Sequence, residues 1–322
     1  MIFSWKECFV QNKQSNRRPM AVMLSKRANV FYFEHVRIMQ KKDRVVYLTE
    51  TGGGDVLQFV NIPDKNTAFV LMGKGSSITD AAARKLAESN VLIGFAGSGG
   101  SPLFGAMDFT FLLPQDEYRP TEYAQNWMKM WLDEEKRLSL AKKFLEKRVE
   151  WGEKHWPSLS LNWPREASDI LRESIHSAEQ ANDLLLSEAK FAKSLYACLA
   201  SRYKIDEFTR DPGQKKGETK AQLINSYLDH GNYIAYGYAA VTLHGLGIPF
   251  FLPVLHGKTR RGALVFDVAD LFKDWVVMPV AFDCGSRKVK NSEFRALIIQ
   301  QAHERSLLDM LFQFLSDLAK KD

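Results

Sequence analysis

The sequence predicts an α+β protein in two parts: a small antiparallel sheet or β-sandwich-like domain with one helix over residues 1–113, and an all-helical domain over 121–322, joined by a linker at 114–120. Three observations predict it. Short β-prone runs split by glycine-rich turns fill the first third, and Pro114 and Pro120 bracket a polar stretch. Beyond that stretch the apolar residues recur at threes and fours instead of twos. At 322 residues the chain is long enough for two cores.

Strands are expected at 30–33, 44–48, 56–60, 68–72, 91–95 and 109–113, with Thr51-Gly52-Gly53-Gly54-Asp55 and Gly97-Ser98-Gly99-Gly100-Ser101-Pro102 as turns. One helix interrupts them, because Ser77-Ile78-Thr79-Asp80 fits a capping box and 81–89 is rich in helix formers. In the second part Tyr123, Trp127, Trp131, Leu138, Ala141, Leu145 and Val149 make one face of a single long helix over 121–151. Further helices are expected at 166–181, 184–202, 220–246, 267–277 and 293–318, with a loop at 209–220 carrying Pro212, Gly213 and Gly217.

With 45% hydrophobic and 25% charged residues, the composition excludes disordered, collagen-like and disulfide-scaffold classes. The net charge of +6 suits a polyanionic partner without requiring one. Cys8, Cys198 and Cys284 are odd in number and lack a metal-like spacing, which points to a reducing cytoplasm. The start of the chain carries Lys6, Glu7, Lys13, Arg17 and Arg18 where a secretory signal would be apolar. The uncharged stretch from His230 to Gly257 is long enough for a bilayer, but its histidines, Asn232, glycines and prolines suit lipid poorly, and no membrane span is expected.

Several motifs fail on inspection. Gly73-Lys74-Gly75-Ser76-Ser77 lacks the leading glycine of a P-loop, and the 97–102 turn has proline where a dinucleotide fingerprint needs its third glycine. His303-Glu304 lacks a second histidine four residues on, and neither a Gly-x-Ser-x-Gly elbow nor paired Cys-x-x-Cys occurs. What remains is the segment from Leu255 to Asp274. It holds His256, the cations Lys258, Arg260 and Arg261, and the carboxylates Asp267, Asp270 and Asp274 at i, i+3 and i+7. Asp267 falls in the first turn of the expected helix, where negative charge is favoured. Two readings stand. One is a solvated acidic face behind a basic loop, with His256 a turn histidine. The other is phosphodiester chemistry, in which carboxylate oxygens hold Mg²⁺ or Mn²⁺ and the metal offsets charge on the reacting phosphate. A further carboxylate would come from another helix. Glu188 is an isolated acid on an apolar and basic one, unless it serves only as a surface partner of Lys190 or Lys193.

At these residues the sequence resembles the CRISPR-associated adaptation integrases, the "Cas one" family, and within it the I-F or Ypest subtype. The landmarks are Ser25-Lys26-Arg27-Ala28-Asn29-Val30-Phe31-Tyr32, Tyr118-Arg119-Pro120-Thr121-Glu122-Tyr123, Glu188-Ala189, Leu228-Asp229-His230-Gly231-Asn232-Tyr233 with Tyr236-Gly237, and the 256–274 segment. The resemblance covers nearly the whole chain beyond its first twenty residues. It implies a β-sandwich-like N-terminal domain, a helical catalytic domain, a homodimer, and a second adaptation subunit fused to a helicase-nuclease. It also implies a metal held by Glu188, His256 and Asp270, with Asp267 as the accessory acid. The activity implied is insertion of captured double-stranded DNA into the CRISPR array by attack of a 3′-hydroxyl, and the same site run with water is a nuclease.

On this reading Lys258, Arg260 and Arg261 neutralise DNA phosphates, and Asp274, one turn further on, matters much less than Asp270 for joining. Lys215 and Lys216 either touch DNA or keep their loop solvated. The homodimer is expected through the sheet domain, whose thin layer leaves Val56, Leu57 and Phe59 poorly covered. Trp127/Trp131 and Tyr233/Tyr236 are expected to pack in the core instead of stacking on bases. The alternatives are a non-catalytic DNA-binding scaffold subunit and a stand-alone metal-dependent nuclease. Divalent-ion dependence and joining of DNA ends separate the three.

Overall fold

The computed structural model describes residues 26–27, 29–50, 57–95, 121–213, 219–257 and 262–320, the side chains of 49, 50, 57 and 58 excepted. The expected strand at 109–113, the 97–102 turn and the 114–120 linker lie outside the described residues, as do Val56, Lys215, Lys216, Lys258, Arg260 and Arg261.

Among the described residues the strands form two sheets. One is wholly parallel, with β1 (Asn29–Phe33), β5 (Thr67–Met72) and β7 (Leu92–Phe95) in the order β1-β5-β7. The other runs β4 (Leu57–Ile62), β3 (Arg44–Glu50), β2 (Arg37–Lys41), β6 (Ser77–Ile78), antiparallel except for the β2-β6 pair. The expected antiparallel sheet is therefore only one layer of the sandwich. The reason lies in β5, whose residues have no polar alternation and are all buried, and strands buried on both faces suit parallel layers. Val70 and Met72 pack with Phe33 and Ile93 against Ile38, Val45 and Ile62 of the second sheet. Phe69 and Leu71, with Val30 and Leu92, belong instead to the core of the helical part.

The helix of this domain is α1 (Asp80–Glu88), in the crossover from β5 to β7. Its N-cap is Thr79, whose side chain accepts from the Ala82 amide; Ser77, the expected cap, lies in β6. The strand β2 escaped the sequence because Arg-Ile-Met-Gln-Lys offers only two apolar residues among charged and polar ones.

The helical part comprises α2 (Glu122–Leu132), α3 (Glu134–His155), α4 (Arg165–Ser177), α5 (Ala181–Tyr203), α6 (Lys220–Gly245), α7 (Ala263–Phe272), α8 (Met278–Arg287), α9 (Asn291–Glu304) and α10 (Leu307–Lys320). The single helix expected over 121–151 is two. Asp133 leaves helical dihedrals (φ −91°, ψ 118°) and caps α3 by accepting from the Lys136 amide. The expected 293–318 helix is likewise α9 and α10, parted at Ser306, whose φ is 51°. The expected 267–277 helix starts four residues early and ends in a π turn, Lys273–Val277, that passes straight into the unforeseen α8.

The helix α6 is the hub, buried almost all round and packed against α7, α8 and α9. Its burial explains the uncharged stretch that imitates a bilayer span, and no helix among the described residues is long and apolar enough to cross a membrane. Gly237 on α6 is required by close approach: a Cβ there would lie 2.6 Å from the Phe69 ring of β5. Next to it, Tyr238 meets Phe69 edge-on at 5.5 Å between ring centroids. The parallel sheet thus seats directly on the helical core.

Candidate functional site

The segment leading to His256 is held from two sides. Trp127 and Trp131, one turn apart on α2, donate their indole N–H groups to the carbonyl oxygens of Leu252 at 3.0 Å and Pro253 at 2.8 Å. The following amides turn the other way. Those of Val254, Leu255 and His256 donate to the Asp267 carboxylate at 2.7, 3.2 and 3.0 Å. Trp127 is fully buried and Trp131 partly so, as expected of core aromatics, and both also fix this backbone. Asp267 is 1% exposed, and its charge is met by these three amides and by His256 Nδ1 at 2.6 Å. It sits in the fifth position of α7, past the first turn, so these contacts supply the stabilisation that the helix terminus was expected to give.

The bond to Asp267 sets the imidazole. With Nδ1–H donated to Oδ1, the neutral imidazole would carry its lone pair on Nε2, which faces Asp270 Oδ2 at 3.8 Å. Asp267 and the Asp267-held His256 so reproduce a carboxylate–histidine arrangement that presents one nitrogen for ligation. Asp270 is paired with Lys273 at 2.6 Å, and Lys273 in turn donates to the Tyr236 hydroxyl at 3.4 Å. Burial favours a protonated Asp270, but Lys273, Arg148 and His256 together outweigh it and hold the carboxyl below its usual range. His256 is pushed the other way. Burial opposes its charge, while Asp267, Asp270 and Glu188 overcome that and raise it.

Glu188, on α5, is raised by burial and by the neighbouring Asp270 charge, against the pull of its ion-pair partner Arg148. Arg148, on α3, is 4% exposed and also grips Asp274 at 2.6 and 3.0 Å through Nε and Nη2. Asp274 is 0% exposed. The acidic face of Asp267, Asp270 and Asp274 is therefore buried or half-buried, which overturns the solvated-face reading, and Asp274 is the buried partner of Arg148. Truncating it would strand a buried guanidinium.

The donors suit a hard divalent ion, and two of them are placed for one. Ligands about 2.1 Å from a shared ion lie within about 4 Å of each other, which the 3.8 Å from His256 Nε2 to Asp270 Oδ2 satisfies. The charges agree: the carboxylates Asp267, Asp270, Asp274 and Glu188 face the cations Arg148 and Lys273, an excess of two negative charges with His256 neutral. Among the described residues no three His, Cys, Asp or Glu side chains gather closely enough around one point, and Glu188 stands beside the pair, engaged by Arg148. The structure thus unites His256, Asp267 and Asp270 and sets Glu188 alongside. Sequence reasoning missed Arg148, which nothing distinguishes from Lys142, Lys143 and Lys147 on the same helix, and Lys273, whose i+3 spacing from Asp270 was a visible signal.

Fold and site together define a class: a carboxylate–histidine centre suited to phosphodiesters, set in a helical core against which a two-sheet region packs. The chain belongs to the Cas1 family, whose model, described as CRISPR associated protein Cas1, matches residues 30–302. Two proteins named CRISPR-associated endonuclease Cas1 are similar to it. That of Pectobacterium atrosepticum is 42% identical over 316 residues, covering 93% of this chain and 94% of the relative. That of Pseudomonas aeruginosa is 40% identical over 314 residues, covering 93% and 95%. Among solved structures a Cas1 protein from Thermotoga maritima shares the fold with a TM-score of 0.70 at 16% identity, over 91% of this chain and 96% of its own. A casposase bound to integration product does so at 0.67 and 13%, covering 91% of each chain.

Proposed function

We propose that this chain is the metal-dependent DNA integrase and endonuclease of CRISPR adaptation, inserting captured double-stranded DNA into the array by transesterification. The observation that carries the reading is the His256 imidazole, held by Asp267 at Nδ1 with its other nitrogen facing Asp270. Membership of the Cas1 family supports it, and the Pectobacterium and Pseudomonas relatives support the I-F subtype. A solved Cas1 protein in complex with DNA, with a TM-score of 0.66 at 18% identity over 91% of this chain and 92% of its own, supports DNA as the ligand.

In this reading Glu188, His256 and Asp270 hold one Mg²⁺ or Mn²⁺. When bound, the ion supplies charge neutralisation and polarisation at the target phosphate. The chain's own residues do the rest. Asp267 keeps the proton of His256 on Nδ1, so that Nε2 stays free to ligate. The two indoles and Asp267 hold the 252–256 backbone rigid, which keeps that nitrogen in place. Lys258, Arg260 and Arg261 neutralise flanking phosphates, with Lys215 and Lys216 as further contacts. The protein acts in the cytoplasm as a homodimer joined through its two-sheet domain, together with a second adaptation subunit fused to a helicase-nuclease. The test is strand joining on a supercoiled plasmid with and without chelator. Joining that needs a divalent ion is expected; cleavage without joining would leave only a nuclease, and DNA binding with neither would leave a scaffold subunit.

A further inference from the structure

Arg148 stands out among the charged groups near the site. Its guanidinium is fixed before it meets Glu188. Two of its nitrogens bind both oxygens of Asp274, at 2.6 and 3.0 Å. Asp274 is fully buried, and its own backbone carbonyl accepts the Trp156 indole N–H at 2.8 Å. The remaining nitrogen, Nη1, donates to Glu188 Oε1. Among the described residues this is the only hydrogen bond given to the Glu188 side chain, so one carboxylate oxygen is tethered to a rigid donor and the other is unclaimed.

A buried ion pair is a poor stabiliser, since desolvation cancels most of its attraction and an apolar pair of similar volume does as well or better. Its geometry is what an apolar pair would not supply. A glutamate has three side-chain torsions, and without a fixed partner its carboxylate can take more than one rotamer. We infer that Arg148, locked by Asp274, is the positioning residue of Glu188. It holds that carboxylate in one rotamer beside Asp270 and His256, so that the ion proposed above meets a prearranged third ligand. The inference rests on that metal reading.

The experiment is Mn²⁺ titration of the full chain, without DNA, followed by electron paramagnetic resonance. The key variant is Arg148→Gln with Asp274→Asn. It removes one positive and one negative charge together, leaving the local charge as it was, and glutamine is too short to reach both partners. Affinity is expected to fall by about 10–100-fold, the usual effect of losing a group that orients a ligand. Glu188→Gln alone should weaken Mn²⁺ comparably, but should add no more than about 2-fold in the Arg148→Gln/Asp274→Asn background, because residues acting as one unit are not additive. A merely structural pair would shift the melting temperature and leave this coupling absent. An affinity within about 2-fold of wild type for the paired variant, or a Glu188→Gln effect of equal size in both backgrounds, would overturn the inference. Should the paired variant not fold, Arg148→Lys keeps the charge without the two-pronged grip and is expected to lose about 10-fold; wild-type affinity there overturns it equally. Mn²⁺ binding that ignores Glu188→Gln in the wild-type background would instead bring down the metal reading itself.

Discussion

Replacing Asp267 tests the scaffold beneath the site. Its carboxylate accepts three backbone N–H groups at 2.7, 3.2 and 3.0 Å and the His256 Nδ1–H at 2.6 Å, in a position 1% exposed. Asp267→Ala leaves these donors without an acceptor. At about 1–3 kcal/mol for each buried unsatisfied group, and with water reaching the half-buried histidine end, the three amides bring the loss to about 3–9 kcal/mol. That is a large part of the roughly 5–15 kcal/mol that holds a domain together. Asp267→Asn keeps one acceptor oxygen but loses the charge and places an NH₂ against a donor, for which about 2 kcal/mol is expected. Thermal unfolding at neutral pH should therefore rank wild type above Asp267→Asn above Asp267→Ala, with a gap of several degrees at each step. Joining by Asp267→Asn, measured where it is still folded, should fall about 10–100-fold because His256 is no longer oriented. An Asp267→Ala protein that melts within a degree of wild type would refute the account of this carboxylate as the anchor of the 254–256 backbone.

Other outcomes follow from the same geometry. Asp270→Asn and Glu188→Gln should abolish joining while leaving DNA affinity, read by gel shift, nearly intact; equal joining by either would remove it from the site. Alanine at Lys258, Arg260 and Arg261 together should weaken binding to all sequences alike and make the logarithmic salt slope shallower by about one unit per lost contact, whereas an unchanged slope excludes phosphate contacts. His155 stacks on Trp275 at 4.1 Å between centroids, and burial, aided by Arg305 and Lys154, lowers it from 6.5 to about 4. Its neutral form is the folded one, so stability is complete above about pH 6.5 and is lost as pH falls from there toward 4. Discounted for a ring that is only half-buried, the loss is about 1–2 kcal/mol. His155→Phe keeps the stack and should flatten the melting curve over that range; an unchanged pH dependence would clear His155. Light scattering at micromolar concentration should give a dimer, and Phe59→Asp, at a ring 44% exposed, should weaken it unless the two-sheet domain takes no part.

The sequence was legible where one residue class marks one outcome. Leu-Ile-Gly-Phe and Thr-Ala-Phe-Val-Leu-Met are short β-prone runs and do form strands, and the 3.6-residue apolar period placed α4, α5 and α6 within a few positions. Breaks were not legible, because Asp133 and Ser306 stop helices through dihedrals that no apolar pattern records. In the site, His256, Asp267 and Asp270 lie within one short stretch, so spacing exposed them. Arg148 meets Asp274 across 126 positions, and only folding makes that pair. The parallel layer was misread because its polarity pattern shows double burial but not strand direction.

The seating of β5 on α6 has a consequence for how the protein is made. Phe69 and Leu71 leave the ribosome roughly 170 residues ahead of Gly237 and Tyr238, an interval of about 10–30 s at common synthesis rates. For that time the rear of the parallel layer is oily surface whose cover has yet to be translated. Nascent chains stalled ahead of α6 should bind a hydrophobic dye that chains stalled after it do not.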